Sequence, residues 1–535
     1  MSVFGLPKQC RGRPAIVLRL SDILAQGLIF DSRPVFLAAS PARAGRDSPE
    51  ARPKRQPDVQ IVPSTFLALI AIAALLRMGP RNGLGVFLAL TPLGAAAAFN
   101  LPAVGGASIM LVQLAVVAVV ALVCLTPGGI DRLAGTLRPG QPGFWMALLL
   151  LYCIFSALFA ARVFQGATEV FSVARSANKL GIVSVPLRPS AGNITQLFVM
   201  VLSVLSFLAF ATLFRVTPDR AMVMKAMAAA TIVHVGLGWI DVASHAVGAD
   251  WLLDPLRTAN YAILDDHRMI GLKRMVGGFA EASSFGSYSV GIFAFWLLIW
   301  LSGPTTPLQR WMLFLSLVAV LRSTSSGAYV SVTIFLLLTG GWLLATSVRT
   351  TMSRRVALVC VLGIVALWVA AMVVFGAYHF SDTFEAFLDR SILTKLESSS
   401  GIERMSWNTQ AFQNFLDTAL LGAGLGSVRA SNWALASLGS LGIPGTLLFL
   451  IAMVTILRAG RNITDPAMRS TLIGLKAACI GLFLNDLLTA ASPVPSVLFA
   501  TMAGIVTGLA RGVELENPRR EPLQASATAP LPARA

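Results

Sequence analysis

Residues 400–432 bring together a cation, an aromatic ring and an amide at helical spacing. The stretch 401–416 favours a helix, and Arg404, Trp407 and Asn408 fall at i, i+3 and i+4, on one face of it. A guanidinium forks onto phosphate oxygens, and an aromatic ring can stack on a sugar. These residue types therefore point to a phosphate and a sugar. The alternative interpretation is an amphipathic helix at the membrane interface, which has the same spacing.

A glycine-rich turn follows this helix in the stretch "LLGAGLGSVRAS". Gly422, Gly424 and Gly426 precede Arg429 and Ser431. Glycines let the backbone turn tightly or approach a ligand closely, and Arg429 adds a second cation. A Rossmann glycine loop needs a strand before it, a helix after it and cytosolic nucleotide. This turn has none of these, so nucleotide binding is disfavoured.

Glu281 stands at the start of an apolar segment, in "VGGFAEASSFGSYSVGIF". A carboxylate at a membrane edge is costly unless it has a partner or a function. Glu281 could accept the proton of a sugar hydroxyl. It could equally be a helix N-terminal carboxylate that interacts favourably with the helix dipole.

A short polar turn, "VLRSTSSGAYVS", separates two later apolar segments. Arg322 ends the first segment, and Ser325 and Ser326 offer hydroxyl groups to the turn. An arginine here would face the same side as Arg404 and Arg429. The alternative is an arginine that extends to the interface from a helix end.

The elements that position these residues are apolar helices. The chain has 535 residues, of which 56% are hydrophobic and 13% charged, whereas a soluble protein is about a quarter charged. We therefore predict an all-α, polytopic integral membrane protein with about 12 transmembrane helices. The candidate segments are 61–77, 83–98, 108–125, 144–161, 194–214, 221–239, 284–302, 308–322, 327–346, 356–376, 440–457, 471–488 and 493–510.

The charges of the short loops predict the orientation of the chain. Successive loops along the chain lie on alternate sides of the membrane and so form two sets. The short loops of one set hold 14 Lys/Arg against 3 Asp/Glu, and we expect this set to be cytoplasmic. The short loops of the other set hold none, and the long loops 162–193, 240–283 and 377–439 share their side. The net charge of +17 is thus attributed to cytoplasmic loops and anionic lipid, and nucleic acid is not expected as a partner. The residues singled out above fall on the outer side.

The ends of the chain differ from this transmembrane domain, 61–510. Residues 1–60 form a basic arm that we predict to be disordered. Counting the spans back from the cytoplasmic loops places this arm on the outer side, and its ten Lys/Arg conflict with that position. Residues 511–535 should form a disordered cytoplasmic tail. The cysteines and histidines show no ligand spacing, so no metal or cofactor is predicted.

Taken together, these motifs resemble the O-antigen polymerase/ligase superfamily, in its Wzy-type and exopolysaccharide polymerase branches. In that family an Arg-x-x-x-Trp-like helix precedes a Gly-x-Gly-x-Gly turn, a polar residue and a Gly-x-x-Gly span, as in "SGIERMSWNTQAFQNFLDTALLGAGLGSVRASNWALASLGSLGIPG". The stretch "GGFAEASSFGSY" is similar to its Glu-Pro-Ser helix start, with Ala282 where Pro is usual. "STSSGAYVS" is similar to its Ser-Arg-Gly-Ala turn, with Ser326 where ligases carry Arg. "TPLGAAAAFNLPAVGGASI" and "PLRPSAGNITQ" also fit the exopolysaccharide branch.

The resemblance implies an inverting, metal-independent glycosyltransferase in the bacterial inner membrane. It would use oligosaccharides on undecaprenyl diphosphate at the outer face. Because no nucleotide is present there, the lipid diphosphate itself would serve as the leaving group that activates the donor sugar. Arg404 and Arg429 are the first candidates to hold the diphosphate, and Arg322 is the next. Glu281 is the candidate base, with Glu403 behind it.

Three functions remain open at this stage. A polymerase would join lipid-linked repeat units into exopolysaccharide or O-antigen. A ligase would move a finished chain to lipid A core, but ligases place a His after the glycine turn, where this chain has Arg429, Ser431 and Asn432. A transporter of lipid-linked glycan would also have many spans, although no inverted repeat is found. Whether the chain acts with a chain-length regulator and a flippase is open.

Overall fold

A computed structural model describes residues 59–101, 107–176, 179–260, 268–269, 272–347 and 399–527, with single helical positions between 357 and 380. The chain forms two units, Met1–Arg55 and Gln56–Ala535, and every described residue belongs to the second. The N-terminal arm, most of the predicted span 356–376 and residues 381–398 of the outer loop lie outside the described residues.

Helices make up most of the described chain, because long apolar stretches without water can satisfy their backbone only within themselves. In chain order they are α1 (Pro63–Asn82), α2 (Leu84–Leu90), α3 (Leu111–Leu125), α4 (Gly129–Ala134), α5 (Pro142–Val163), α6 (Ala191–Val216), α7 (Arg220–Ala246), α8 (Ala282–Ser302), α9 (Pro307–Arg322), α10 (Ser326–Ser347), α11 (Ser399–Asp417), α12 (Trp433–Arg458), α13 (Pro466–Thr489) and α14 (Val497–Ala527). A 3₁₀ helix, Asp250–Leu256, follows α7.

Nine helices of the described chain are long and apolar enough to cross a membrane: α1, α5, α6, α7, α8, α10, α12, α13 and the first part of α14. This confirms a mostly helical, multi-pass membrane protein, but not the count of 12. The predicted span 83–98 contains only the seven-residue α2, because Pro92 and Gly94 interrupt it. The span 108–125 begins as a strand, and the helix that follows has 15 residues. At the predicted span 308–322, the helix Pro307–Arg322 has 16 residues.

Three antiparallel hairpins interrupt the all-helical pattern that we predicted. They pair β1 (Ala97–Leu101) with β2 (Ala107–Met110), β3 (Glu169–Ser176) with β4 (Lys179–Pro186), and β5 (Arg268–Met269) with β6 (Leu272–Lys273). The second and third lie in the predicted outer loops 162–193 and 240–283, whereas the first extends from the loop 99–107 into the ends of both flanking predicted spans. At the other end of the sequence, α14 continues as helix beyond residue 510, where we predicted a disordered tail.

Two contacts join loops that we predicted to lie on the same side of the membrane. Arg81 and Asp219, from two of the basic loops, form an ion pair of 3.2 Å. Arg274 and Thr324, from two of the predicted outer loops, are joined by hydrogen bonds of 3.2 Å. Each of these two contacts thus joins loops that the charge pattern assigns to the same side.

Close helix packing fixes the ends of the central helices. The helix α8 lies deep in the bundle, with Trp296 fully buried and its indole N–H donating to Thr231 Oγ1 at 2.9 Å. The helix α14 approaches α6 so closely that a Cβ on Gly504 would lie 2.4 Å from the carbonyl oxygen of Phe207. Small residues permit such contacts between membrane helices.

Candidate functional site

The predicted polar face of α11 packs against the segment that follows the glycine turn. The guanidinium carbon of Arg429 lies 4.3 Å from the ring centroid of Trp407, a cation–π distance. The Asn408 side-chain oxygen accepts a hydrogen bond of 2.8 Å from the backbone N–H of Ser431. Ala411, one turn further along, is fully buried. Trp407 and Asn408 thus hold Arg429 and Ser431 beside the helix that carries Arg404.

Arg274, which the sequence analysis did not single out, links this helix to the other candidate residues. Its Nε donates to Thr324 Oγ1 and its Nη2 to the Thr324 carbonyl oxygen, both at 3.2 Å. Burial is the main cause that lowers the pKa of Arg274. The negative charge of Glu281 raises that pKa, and the positive charge of Arg404 lowers it further. Arg274 therefore lies within electrostatic reach of both Glu281 and Arg404.

The turn between α9 and α10 is strained at the residue that holds Arg274. Thr324 has φ of +48°, a left-handed conformation that β-branched residues rarely adopt. Such strain persists only where the surroundings impose it, and it is concentrated at functional sites. Arg322 and Arg274 both act electrostatically on the Tyr329 hydroxyl, which donates to the Leu321 carbonyl at 2.6 Å. The turn thus brings Arg322 to the same end of the bundle as Arg274.

The two predicted serines of this turn differ in their surroundings. Ser325 is buried, and its hydroxyl accepts a hydrogen bond of 3.4 Å from the Ala328 backbone N–H. This contact caps the first turn of α10, which gives Ser325 a structural reason to be there. Ser326 is exposed at the first position of the same helix.

Glu281 is the residue that directly precedes α8. Its carboxylate accepts a hydrogen bond from the Ser283 hydroxyl and makes no capping bond to the helix backbone. The side chain is partly exposed. This position agrees with a favourable dipole interaction and equally leaves the carboxylate accessible to a reacting hydroxyl. Glu403, its predicted substitute, is exposed on α11.

A buried ion cluster, also missed at the sequence level, fixes the segment that carries Arg274 and Glu281. Asp241, near the end of α7, is 1% exposed, and its Oδ1 lies 2.6 Å from Arg257 Nη2 and 3.1 Å from Lys273 Nζ. Its Oδ2 accepts hydrogen bonds from the backbone N–H groups of Val276 and Gly277, at 2.8 and 3.1 Å. A carboxylate near the end of an apolar helix was the signal that could have identified this cluster.

Four arginines at this end of the bundle contrast with Arg257 of the ion cluster. They are Arg274, Arg322, Arg404 and Arg429, and we call them the arginine group. Within the described part of the chain, none of the four forms an ion pair with a carboxylate. Guanidinium groups without carboxylate partners are suited to bind an anion such as a phosphate or diphosphate.

The glycine turn lies against other backbone segments. Gly422, Gly424 and Gly426 all have positive φ, between +84° and +103°. A Cβ on Gly426 would lie 2.3 Å from the carbonyl oxygen of Gly192, so only glycine allows this approach to the start of α6.

Several backbone N–H groups of this turn have partners within the protein. Gly424 N–H donates to the Ser440 carbonyl at 3.0 Å, and Leu425 N–H to the Ser156 hydroxyl at 3.2 Å. Asn193 donates to the Leu425 carbonyl at 2.7 Å. The structure thus gives the three glycines a packing role, through which they position Arg429 and Ser431.

Comparison with known proteins does not assign this site. No protein-family model matches the sequence, and the search of curated proteins gave no match. Among the residues that the structure describes, no three His, Cys, Asp or Glu side chains are grouped so that they could hold a metal ion. The site is therefore defined by its own chemistry: the arginine group, one carboxylate and a strained turn.

Proposed function

We propose that this chain is a membrane-embedded glycosyltransferase that polymerises undecaprenyl-diphosphate-linked oligosaccharide units at the outer face of the bacterial inner membrane. The product would be exopolysaccharide or O-antigen. The observation that carries the proposal is the arginine group beside the carboxylate of Glu281. The resemblance of the motifs to O-antigen polymerases and ligases supplies the substrate class.

In this proposal the arginine group binds the diphosphate of the donor. Negative charge develops on the diphosphate as the bond to the sugar breaks, and fixed cations stabilise that charge most when they need no rearrangement. Arg274 is held by two hydrogen bonds to Thr324, and Arg429 is held against Trp407. Both guanidinium groups are thus oriented before the substrate binds.

Glu281 acts as the general base for the acceptor sugar. The acceptor hydroxyl oxygen attacks the anomeric carbon of the donor, and the hydroxyl proton passes to the Glu281 carboxylate. The bond from the anomeric carbon to the diphosphate oxygen breaks, and its electron pair leaves with the lipid diphosphate. The hydrogen bond from Ser283 orients the carboxylate without neutralising it.

The proposal is tested in a deletion strain that expresses variants at matched levels. Arg274→Ala and Arg404→Ala should each lead to accumulation of single lipid-linked units and loss of long polymer, measured by gel analysis of labelled glycan. The control is Arg188→Ala, an exposed arginine in another outer loop, which should leave the polymer length unchanged.

Other outcomes identify other functions. If the deletion strain still makes polymer but does not attach it to lipid A core, the chain is a ligase. Units that accumulate on the cytoplasmic side would identify a transporter. Full-length polymer from both arginine variants would show that the arginine group does not bind the donor.

A further inference from the structure

A groove lies at the end of the bundle opposite the arginine group. It has a volume of about 460 Å³ and is bounded by α8, α10, α12 and α13. Its wall is largely apolar and includes Leu298, Phe335, Leu338, Trp342, Ile473 and Ile480. Leu338 and Trp342 are both about half exposed, so the groove is open on the side of α10. Its apolar wall suits a hydrocarbon chain.

Three cations line the same groove: Arg461, Arg469 and Lys476. None of them forms an ion pair with a carboxylate in the described part of the chain. Lys476 lies roughly 15 Å along α13 from Pro466, at 1.5 Å per residue, and its Nζ donates to the Ala459 carbonyl at 2.5 Å. A half-buried ammonium at this depth is costly without an anion.

A neighbouring pocket at the same end also contains cations but lacks the apolar wall. It is lined by Arg458 and Arg511, among others. Arg511 forms an ion pair of 3.0 Å with Glu514. The rest of its wall is mainly small or polar, with residues such as Gln141, Thr455 and Thr507, so it offers little to a hydrocarbon chain. The combination of three unpaired cations with an apolar wall distinguishes the first groove.

We propose that this groove binds one anionic glycerophospholipid from the cytoplasmic leaflet. The phosphate contacts Arg461, Arg469 and Lys476, and one acyl chain lies along the apolar wall. Basic pockets between helices on the cytoplasmic side bind anionic headgroups in this way. The site is separate from the proposed donor site, so either proposal can fail without the other.

The test measures lipid binding to the purified, delipidated full-length protein by native mass spectrometry. Phosphatidylglycerol and phosphatidylcholine are compared as probes in the same detergent. Each cation near an anionic headgroup is expected to contribute about a fivefold gain in affinity. Arg469→Gln, an exposed position, should therefore weaken phosphatidylglycerol binding about fivefold, and the triple change Arg461→Gln, Arg469→Gln, Lys476→Gln about a hundredfold.

The matched control removes two cations from the neighbouring pocket, by Arg458→Gln and Arg511→Gln, and should leave binding unchanged. Arg469→Lys should retain it. Size-exclusion profiles show whether each variant is folded, and Arg469→Gln keeps the test valid if the triple variant is not. Equal binding of the two lipids, or equal losses in Arg469→Gln and in the control, would overturn the proposal.

Discussion

Replacing Asp241 by Asn tests how the segment that carries Arg274 and Glu281 is held. Asp241 receives two cations on one oxygen and two backbone N–H groups on the other. An Asn side chain has one acceptor and one donor group. Whichever way the Asn amide is oriented, its NH₂ group faces either the two cations or the two backbone N–H groups, which are all donors. In both orientations Arg257 and Lys273 lose the negative charge that they share.

The size of the effect follows from burial. Arg257 and Lys273 have side chains only 3% and 6% exposed, and removing one partner of a buried ion pair costs about 3–5 kcal/mol. Lys273 keeps Asp250 at 3.1 Å, which favours the lower end of that range. A cost of about 3 kcal/mol raises the opening equilibrium of the segment more than a hundredfold, at about 1.4 kcal/mol per factor of ten.

Hydrogen exchange measures this opening directly, because the N–H groups of Val276 and Gly277 donate to Asp241. In Asp241→Asn their exchange should accelerate at least a hundredfold. The control is Asp219→Asn, at the other end of α7, whose ion pair with Arg81 is partly exposed and worth at most about 1 kcal/mol. Equal, small changes in both variants would refute the argument from buried charge.

Three further predictions concern single residues. Arg274→Lys should shorten the polymer, because an ammonium cannot reproduce the two bonds that the guanidinium makes to Thr324; polymer of wild-type length would contradict this. Gly426→Ala should destabilise the protein by about 1–3 kcal/mol, through backbone strain and steric overlap, and so lower the yield of folded protein. Gly85→Ala, with open space around the residue, should not lower the yield. Equal yields of the two variants would contradict the packing role of Gly426. The hydrogen bond with His245 and the ammonium of Lys273 lower the pKa of Asp250 below 3.8, so the ionised form favours the folded state. The contribution of Asp250 to stability is therefore full above that pH and lost as the pH falls through the lower value. The melting-temperature difference between wild type and Asp250→Asn should be present at pH 7 and narrow progressively as the pH falls below 3.8; a difference that does not change with pH would contradict the assignment.

The helical periodicity of residues 401–416 correctly predicted the helix α11. It did not predict that Trp407 and Asn408 pack within the protein, against Arg429 and Ser431. The apolar segments likewise predicted most of the long helices. Segments near the minimum length were predicted less well: in 83–98, composition alone did not show that Pro92 and Gly94 end the helix after seven residues.

Contacts between distant parts of the chain could not be predicted from local patterns. Arg274 meets Thr324 and acts on Arg404 only because three loops reach the same end of the bundle. The glycine turn shows the same limit. Its spacing is consistent with a ligand loop and with a packing junction, and only the fold shows Gly426 against Gly192.

The most direct test of the proposed function uses purified protein in vesicles with lipid-linked repeat units isolated from the deletion strain. Polymer length and released undecaprenyl diphosphate are measured for the wild type and for Glu281→Gln. We predict that the wild type elongates the glycan and releases the lipid diphosphate, and that Glu281→Gln does so roughly 10²–10⁴-fold more slowly. Elongation at the wild-type rate by Glu281→Gln, or no turnover by the wild type, would contradict the account.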